Sequence, residues 1–239
     1  MRALGELFLD WRRMLPVVVL LAVIDLIFIG LHIAHALAVR DGLQTPFRDQ
    51  LFNINRDGGL AEWFEYAKSL TSAAALFLCF RSRAWSVFAV LAGLHLWILA
   101  DNSLRLHEQI GALIGQSWIG GDVAGVISAR DAGQIVLHGL VLATAGVLFA
   151  FTAVKAPRPL RPTLGILFLA AISPGLFGVV VDAFHASSLS AGIGRGWLVL
   201  IEDGGETLML SLGCALAVGC YAALRARDER GTTWMAAAT

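Results

Sequence analysis

Six stretches of this chain, at about 14–39, 60–80, 84–106, 130–154, 163–186 and 196–224, stay apolar for long enough to cross a hydrocarbon layer. Such a layer is about 30 Å thick and takes about 20 residues of helix. Between them no polar stretch exceeds about 25 residues. The breaks are short and chemically distinct: RSR at 81–83, KAPRPLRP at 155–162, and a glycine turn around Gly192–Gly196. The first stretch is too long for the apolar part of a cleaved leader, which runs about 7–15 residues. Of 239 residues 57% are hydrophobic and only 15% charged, where a soluble domain carries about 25% charge. These proportions exclude a soluble enzyme and a disordered tail. Eighteen basic residues balance eighteen acidic ones, so no net field draws nucleic acid. The expectation is an all-α integral membrane bundle of about six spanning helices, forming a single domain over residues 1–239.

Basic residues in short loops orient such a bundle. Eleven fall on one side: Arg2, Arg12, Arg13, Arg81, Arg83, Lys155, Arg158, Arg161, Arg225, Arg227 and Arg230. Six fall on the other: Arg40, Arg48, Arg56, Arg105, Arg130 and Arg195. Both termini are therefore expected on the cytoplasmic side, with Trp11, Trp63, Trp118, Trp197 and Trp234 as interface anchors. Cys79, Cys214 and Cys220 lie in the inner halves of spans two and six, and free buried thiols are expected.

Ionisable side chains in a bilayer are costly and mark functional sites by default. In this topology they gather at one depth. Span one carries Asp25, His32 and His35 on one face; span two carries Glu62, Glu65, Ser69 and Ser72. Span three ends in Asp101, Arg105, His107 and Glu108, and span four begins with Asp131, Gln134 and His138. Span five ends in Asp182 and His185; span six begins with Glu202, Asp203 and Glu206. All six thus place acids or imidazoles in the outer half, and His95 stands apart near mid-depth.

Carboxylates crowded in low dielectric need compensating cations. Imidazole and carboxylate donors without thiols suit zinc, iron or manganese. Glu65, Glu108, Asp182, His185, Glu202 and Glu206 are the leading candidate ligands of a divalent metal, followed by His32, His35 and His138. Glu62 or Asp101 would take the proton from a metal-activated water. The depth of the layer presents that water to membrane lipids, so metal-dependent hydrolysis of a lipid or lipid-linked amide or ester is expected. Plainer readings pair Glu65 with Lys68, Asp101 with Arg105, and Asp25 with His32. Gly175 and Gly178 read as sites of close helix packing.

A proton- or metal-coupled transporter is the main alternative. Its midplane sites and broken helices find little echo in inner halves where Pro174 is the one obvious breaker. A haem held by His35 and His138, and a membrane scaffold or assembly factor whose polar layer fixes helix packing, are further readings.

The segment LAEWFEYAKSLTSAAALF at 60–77 resembles the entry to a span of alkaline ceramidases, membrane-embedded zinc amide hydrolases of seven spans. That resemblance implies a metal-dependent amide hydrolase. The HxxxH of their last span is replaced here by Glu202 and Glu206, and His95 with Asp101 would stand for their histidine-then-aspartate pair. A second pattern runs from Asp57, Gly58 and Glu62 to DNSLRLHE at 101–108. It is similar to uncharacterised bacterial membrane proteins, which implies a bacterial inner membrane and no particular activity.

Overall fold

Every one of the six apolar stretches folds as a long helix in the computed structural model. The model describes residues 8–121, 123, 127–186 and 195–229; of 176, 178–186 and 195–199 it describes the backbone alone. The long helices are α1 (Trp11–Arg40), α2 (Leu60–Arg83), α3 (Ser86–Leu104), α5 (Ala129–Ala153), α6 (Arg161–Ala186) and α7 (Arg195–Glu229). A short helix that the apolar runs do not announce, α4 (Leu106–Ile114), follows α3 and ends in a wide turn at Gly115–Ile119. Among the described residues there is no strand, only one isolated bridge between Val123 and Ile127.

Local chemistry sets the boundaries. The Asp10 side chain accepts the Arg13 N–H at the start of α1, and Ser128 does the same for Asp131 at the start of α5. Ala84, at φ 55°, reverses the chain between α2 and α3, and Arg105, at φ 51°, breaks α3 from α4. Left-handed backbone is uncommon without glycine. These two residues therefore mark corners held by what surrounds them.

Among the described residues, α1, α3, α5 and the part of α7 from Leu200 to Glu229 are long and apolar enough to cross a membrane. The length of α2 is sufficient, but Glu62, Glu65, Lys68, Ser69 and Ser72 load its first half with polar groups.

Helix α7 lies at the centre and packs against α1, α2 and α6; α3 bridges α2 to α5 and α6. At one end, Asp10 N–H donates to Gly219 O, Phe8 N–H to Thr163, and Arg83 to Leu224 O. Below lies an apolar core that includes Leu76, Val87, Phe88, Leu91, Leu164 and Ala217. The thiols of Cys79 and Cys220 meet inside it, and all three cysteines are free and buried. Outward faces are apolar instead, as Leu15, Val19, Val23, Leu26 and Ile27 show on α1. Trp11, Trp63 and Trp118 are exposed, while Trp234 and the side chain of Trp197 lie outside the described residues.

Close packing uses glycines other than those expected. A Cβ on Gly133 would stand 1.9 Å from Gly111 O, and one on Gly115 would stand 2.0 Å from Ala129 O. Backbones of α4 and α5 therefore touch directly, as small residues allow. Gly175, by contrast, faces open space, and Gly178 lies outside the residues whose side chains are described.

Candidate functional site

At the end of the bundle where α2 and α5 begin and α3 stops, the helices part around a cavity of about 470 Å³. Its wall holds Glu62, Glu65, Asp101, Glu108, His138, Glu202 and Glu206, seven of the residues singled out from sequence, together with His107, Asp131 and Asp203. Deeper, the lining becomes apolar through Leu94, Ile98, Leu142 and Ile172. Carboxylates from α2, α3 and α7 thus meet imidazoles from α4 and α5 in one space.

Asp101 organises the polar wall. The Arg105 corner turns the chain back so that His107 donates its backbone N–H to Asp101 Oδ1 at 2.7 Å. The His107 ring lies on the same oxygen, Nδ1 to Oδ1 3.2 Å. A carboxylate only accepts, so this nitrogen carries a proton. His138 approaches from α5, its Nε2 3.6 Å from Asp101 Oδ2. Its Nδ1 donates to Gln134 O at 2.9 Å, because a carbonyl likewise only accepts. His138 thereby turns its Nε2 toward the carboxylate. At 3.6 Å the two atoms are within ion-pair reach when the ring is protonated and just beyond a direct hydrogen bond.

Lys68 faces away from this wall. Its ammonium has three donors, and they meet Asp25 Oδ1 at 3.1 Å, Thr207 O at 2.8 Å and Thr207 Oγ1 at 2.6 Å. Ser211 donates to the second Asp25 oxygen, and the Phe64 ring lies 4.8 Å from the nitrogen. Asp25 and Lys68 are almost wholly enclosed, at 0% and 2% exposed. The plainer pairing of Lys68 with Glu65 is thus replaced by a clamp that ties α2 to α1 and α7. Asp25 turns to Lys68 and not to His32.

His32 and His35 stand outside the cavity wall. The His32 Nδ1 accepts the Ile54 N–H at 3.3 Å, and the His35 Nδ1 donates to Phe47 O at 2.9 Å. Both brace the loop between α1 and α2, which is why neither turns toward the acids. The same loop roofs the cavity with Ile54, Asn55, Arg56 and Asp57. Asp57 pairs with Arg105, and Glu62 accepts from the Gly58 N–H and the Tyr66 hydroxyl. Arg105 therefore serves the loop and not Asp101, while Glu108 pairs with Arg130 across α4 and α5.

The side chains of Asp182 and His185 lie outside the described residues. Among those described, no three of His, Cys, Asp and Glu stand together around a single point as a metal ion needs. From sequence His107 belongs to the polar layer but has no role among the candidate ligands or bases, because its i+6 spacing from Asp101 is a signal only once the corner at Arg105 is known. Residues 14–220 match the model of a domain of unknown function (DUF8692), and the chain belongs to that family. No curated protein and no solved structure matches it.

Proposed function

We propose that this member of the DUF8692 family spans a bacterial inner membrane with six helices, both termini cytoplasmic, and hydrolyses an amide or ester bond in a lipid or lipid-linked substrate. One observation carries the reading: the acids and imidazoles of five helices line a single cavity whose wall turns apolar with depth. Such a lining suits an amphiphile, head among the polar groups and hydrocarbon against Leu94, Ile98 and Leu142.

Asp101 and His138 supply the acid–base chemistry. With His138 neutral and protonated on Nδ1, a water held between Nε2 and Asp101 Oδ2 attacks the substrate carbonyl as its proton passes to Nε2. Asp101, oriented by both contacts from His107, stabilises the imidazolium. The same Nε2 then returns the proton to the leaving nitrogen or oxygen, so that acid and alcohol or amine depart. Zinc, iron or manganese would draw on carboxylate and imidazole donors of the same wall. No donor triad stands assembled among the described residues.

The test is lipid hydrolysis by the purified, reconstituted chain over a panel of amide- and ester-linked lipids. Asp101→Asn and His138→Gln should each lower the rate by about 10²–10⁴-fold, the span of general acid–base catalysis. Elemental analysis of the same preparations checks the metal. Unchanged turnover in both variants would sink the proposal.

A second reading, cation-coupled transport, draws on the Asp25–Lys68 clamp, a charged pair enclosed partway along the bundle. Ion flux into proteoliposomes that Glu206→Gln abolishes, with no lipid cleaved, would favour it.

A further inference from the structure

The apolar half of the cavity is walled by α3, α5 and α6, and the last two of these clasp each other below it. There the Phe149 and Phe168 rings stack at 4.4 Å, and Ala145 and Ala171 are buried together with Leu94 of α3. The two helices run in opposite directions, each rising about 1.5 Å per residue. Counted the same distance up from the stacked rings, Leu142 stands level with Gly175, and Gly139 about a turn higher. All three line the cavity.

At that level the described wall has a gap. Gly139 and Gly175 are exposed, and a Cβ on either would meet no described atom within 4 Å. Ile135 and Leu142 share a stripe of α5 with Gly139 and are 36% and 37% exposed. Leu94 and Ala171, which line the same cavity, are 8% and 1% exposed. Exposure is thus concentrated at the edge where α5 meets α6. Next to that edge Val136, Leu140 and Leu169 form an exposed apolar flank. Pro174 lies beside the gap; it has no N–H for Ala170 O, which accepts the Ser173 hydroxyl at 2.9 Å instead. The α6 ladder is therefore interrupted where the wall opens, and the apolar lining runs out between the two helices onto the flank.

Resting on the amphiphile reading of this cavity, we propose that it opens sideways into the bilayer between α5 and α6, and that the acyl chain of a membrane lipid enters there, past Gly139 and Gly175. Entry from the flank keeps the hydrocarbon out of water throughout, whereas entry by the polar mouth wets every methylene at a cost in free energy. A two-chain lipid leaves one chain in the bilayer while the other passes Ile135 and Leu142 to reach Ile98 and Leu94. Its head is then drawn among the acids and imidazoles a turn above. The occupant is a lipid already resident in the membrane, not an amphiphile delivered from water.

The test places the full chain in vesicles of phosphatidylethanolamine and phosphatidylglycerol, a share of the former carrying a diazirine midway along one acyl chain. Light turns the diazirine into a carbene that marks whatever the chain touches, and peptide mass spectrometry locates the adducts. Leu94 and Ile98 inside the cavity should be marked, alongside the outward Leu26 of α1. Gly175→Trp fills the gap from α6 and should lower the Leu94 and Ile98 adducts about tenfold relative to those on Leu26. Gly139→Leu, from the α5 side, should act in the same direction. Leu169→Trp, on the exposed face of α6 and outside the lining, should change nothing. Thermal unfolding and Leu26 adducts at wild-type level mark the variants that keep the bundle. Cavity adducts undiminished in both glycine variants overturn the sideways route and leave the amphiphile reading standing. Marking of Leu26 without Leu94 and Ile98 in the wild type overturns the route as well. A lysolipid with the same diazirine, added to the chain in detergent, then separates the two readings: adducts on Leu94 and Ile98 keep the amphiphile reading, and their absence ends it.

Discussion

Asp25 and Lys68 hold charge inside the bundle only because each satisfies the other. Removing one partner leaves the second enclosed among Thr207, Ser211 and Phe64, at a cost of about 3–5 kcal/mol. Asp25→Asn and Lys68→Met should each lose about that much in denaturant unfolding in detergent, and the double variant should lose far less than the sum. At the Asp101 wall, His107→Gln keeps the backbone N–H contact and removes the ring contact, so hydrolysis should fall by about tenfold, less than for Asp101→Asn. Helical spacing reveals which polar residues share a face, and so most of the polar side chains of the cavity wall are legible in the sequence. It does not reveal partners. Glu65 lies one turn from Lys68, but the long lysine side chain reaches across to α1 and α7 instead. His32 and His35 share a stripe with Asp25, yet a returning loop claims them.

The contact of α4 with α5 depends on the absence of side chains at Gly111, Gly115 and Gly133. Gly133→Ala would force its methyl group into the Gly111 carbonyl, pushing α5 outward by its first turns and taking His138 away from Asp101. A loss of about 1–3 kcal/mol is expected from such overpacking, together with a fall in turnover. Gly139→Ala, two turns further along α5 where a Cβ meets nothing within 4 Å, should match or exceed wild-type stability. Thermal unfolding of the two variants side by side checks the pair. Helix existence was readable throughout, since the apolar runs are long and their breaks polar. The short α4 was not, because its sequence follows α3 without proline or glycine and the corner falls on Arg105, whose left-handed backbone no propensity announces. Gly175 looked like a packing site for its composition alone, and only the neighbouring helix decides whether a glycine faces backbone or open space.

Taken as one body, the molecule segregates its surfaces: apolar flanks, an apolar core at the end that gathers Phe8, Leu164 and Leu224, and polar groups drawn to the opposite end. A membrane reading assigns those flanks to lipid. Leu26→Arg on the outward face of α1 would then cost about 2.5–3.5 kcal/mol of insertion free energy, measurable as loss of α1 from the membrane in a glycosylation-tag assay. A bundle in water would tolerate the same arginine on an exposed face. Order of synthesis adds a constraint of its own. Asp25 emerges with α1, yet Lys68 follows 43 residues later and Ser211 186 residues later. On the membrane reading, the newborn first helix would reach hydrocarbon with a carboxylate and no counter-ion until its neighbour arrives. Nascent chains halted just after Arg40 should slip back out of the bilayer, whereas those halted after Arg83 should stay.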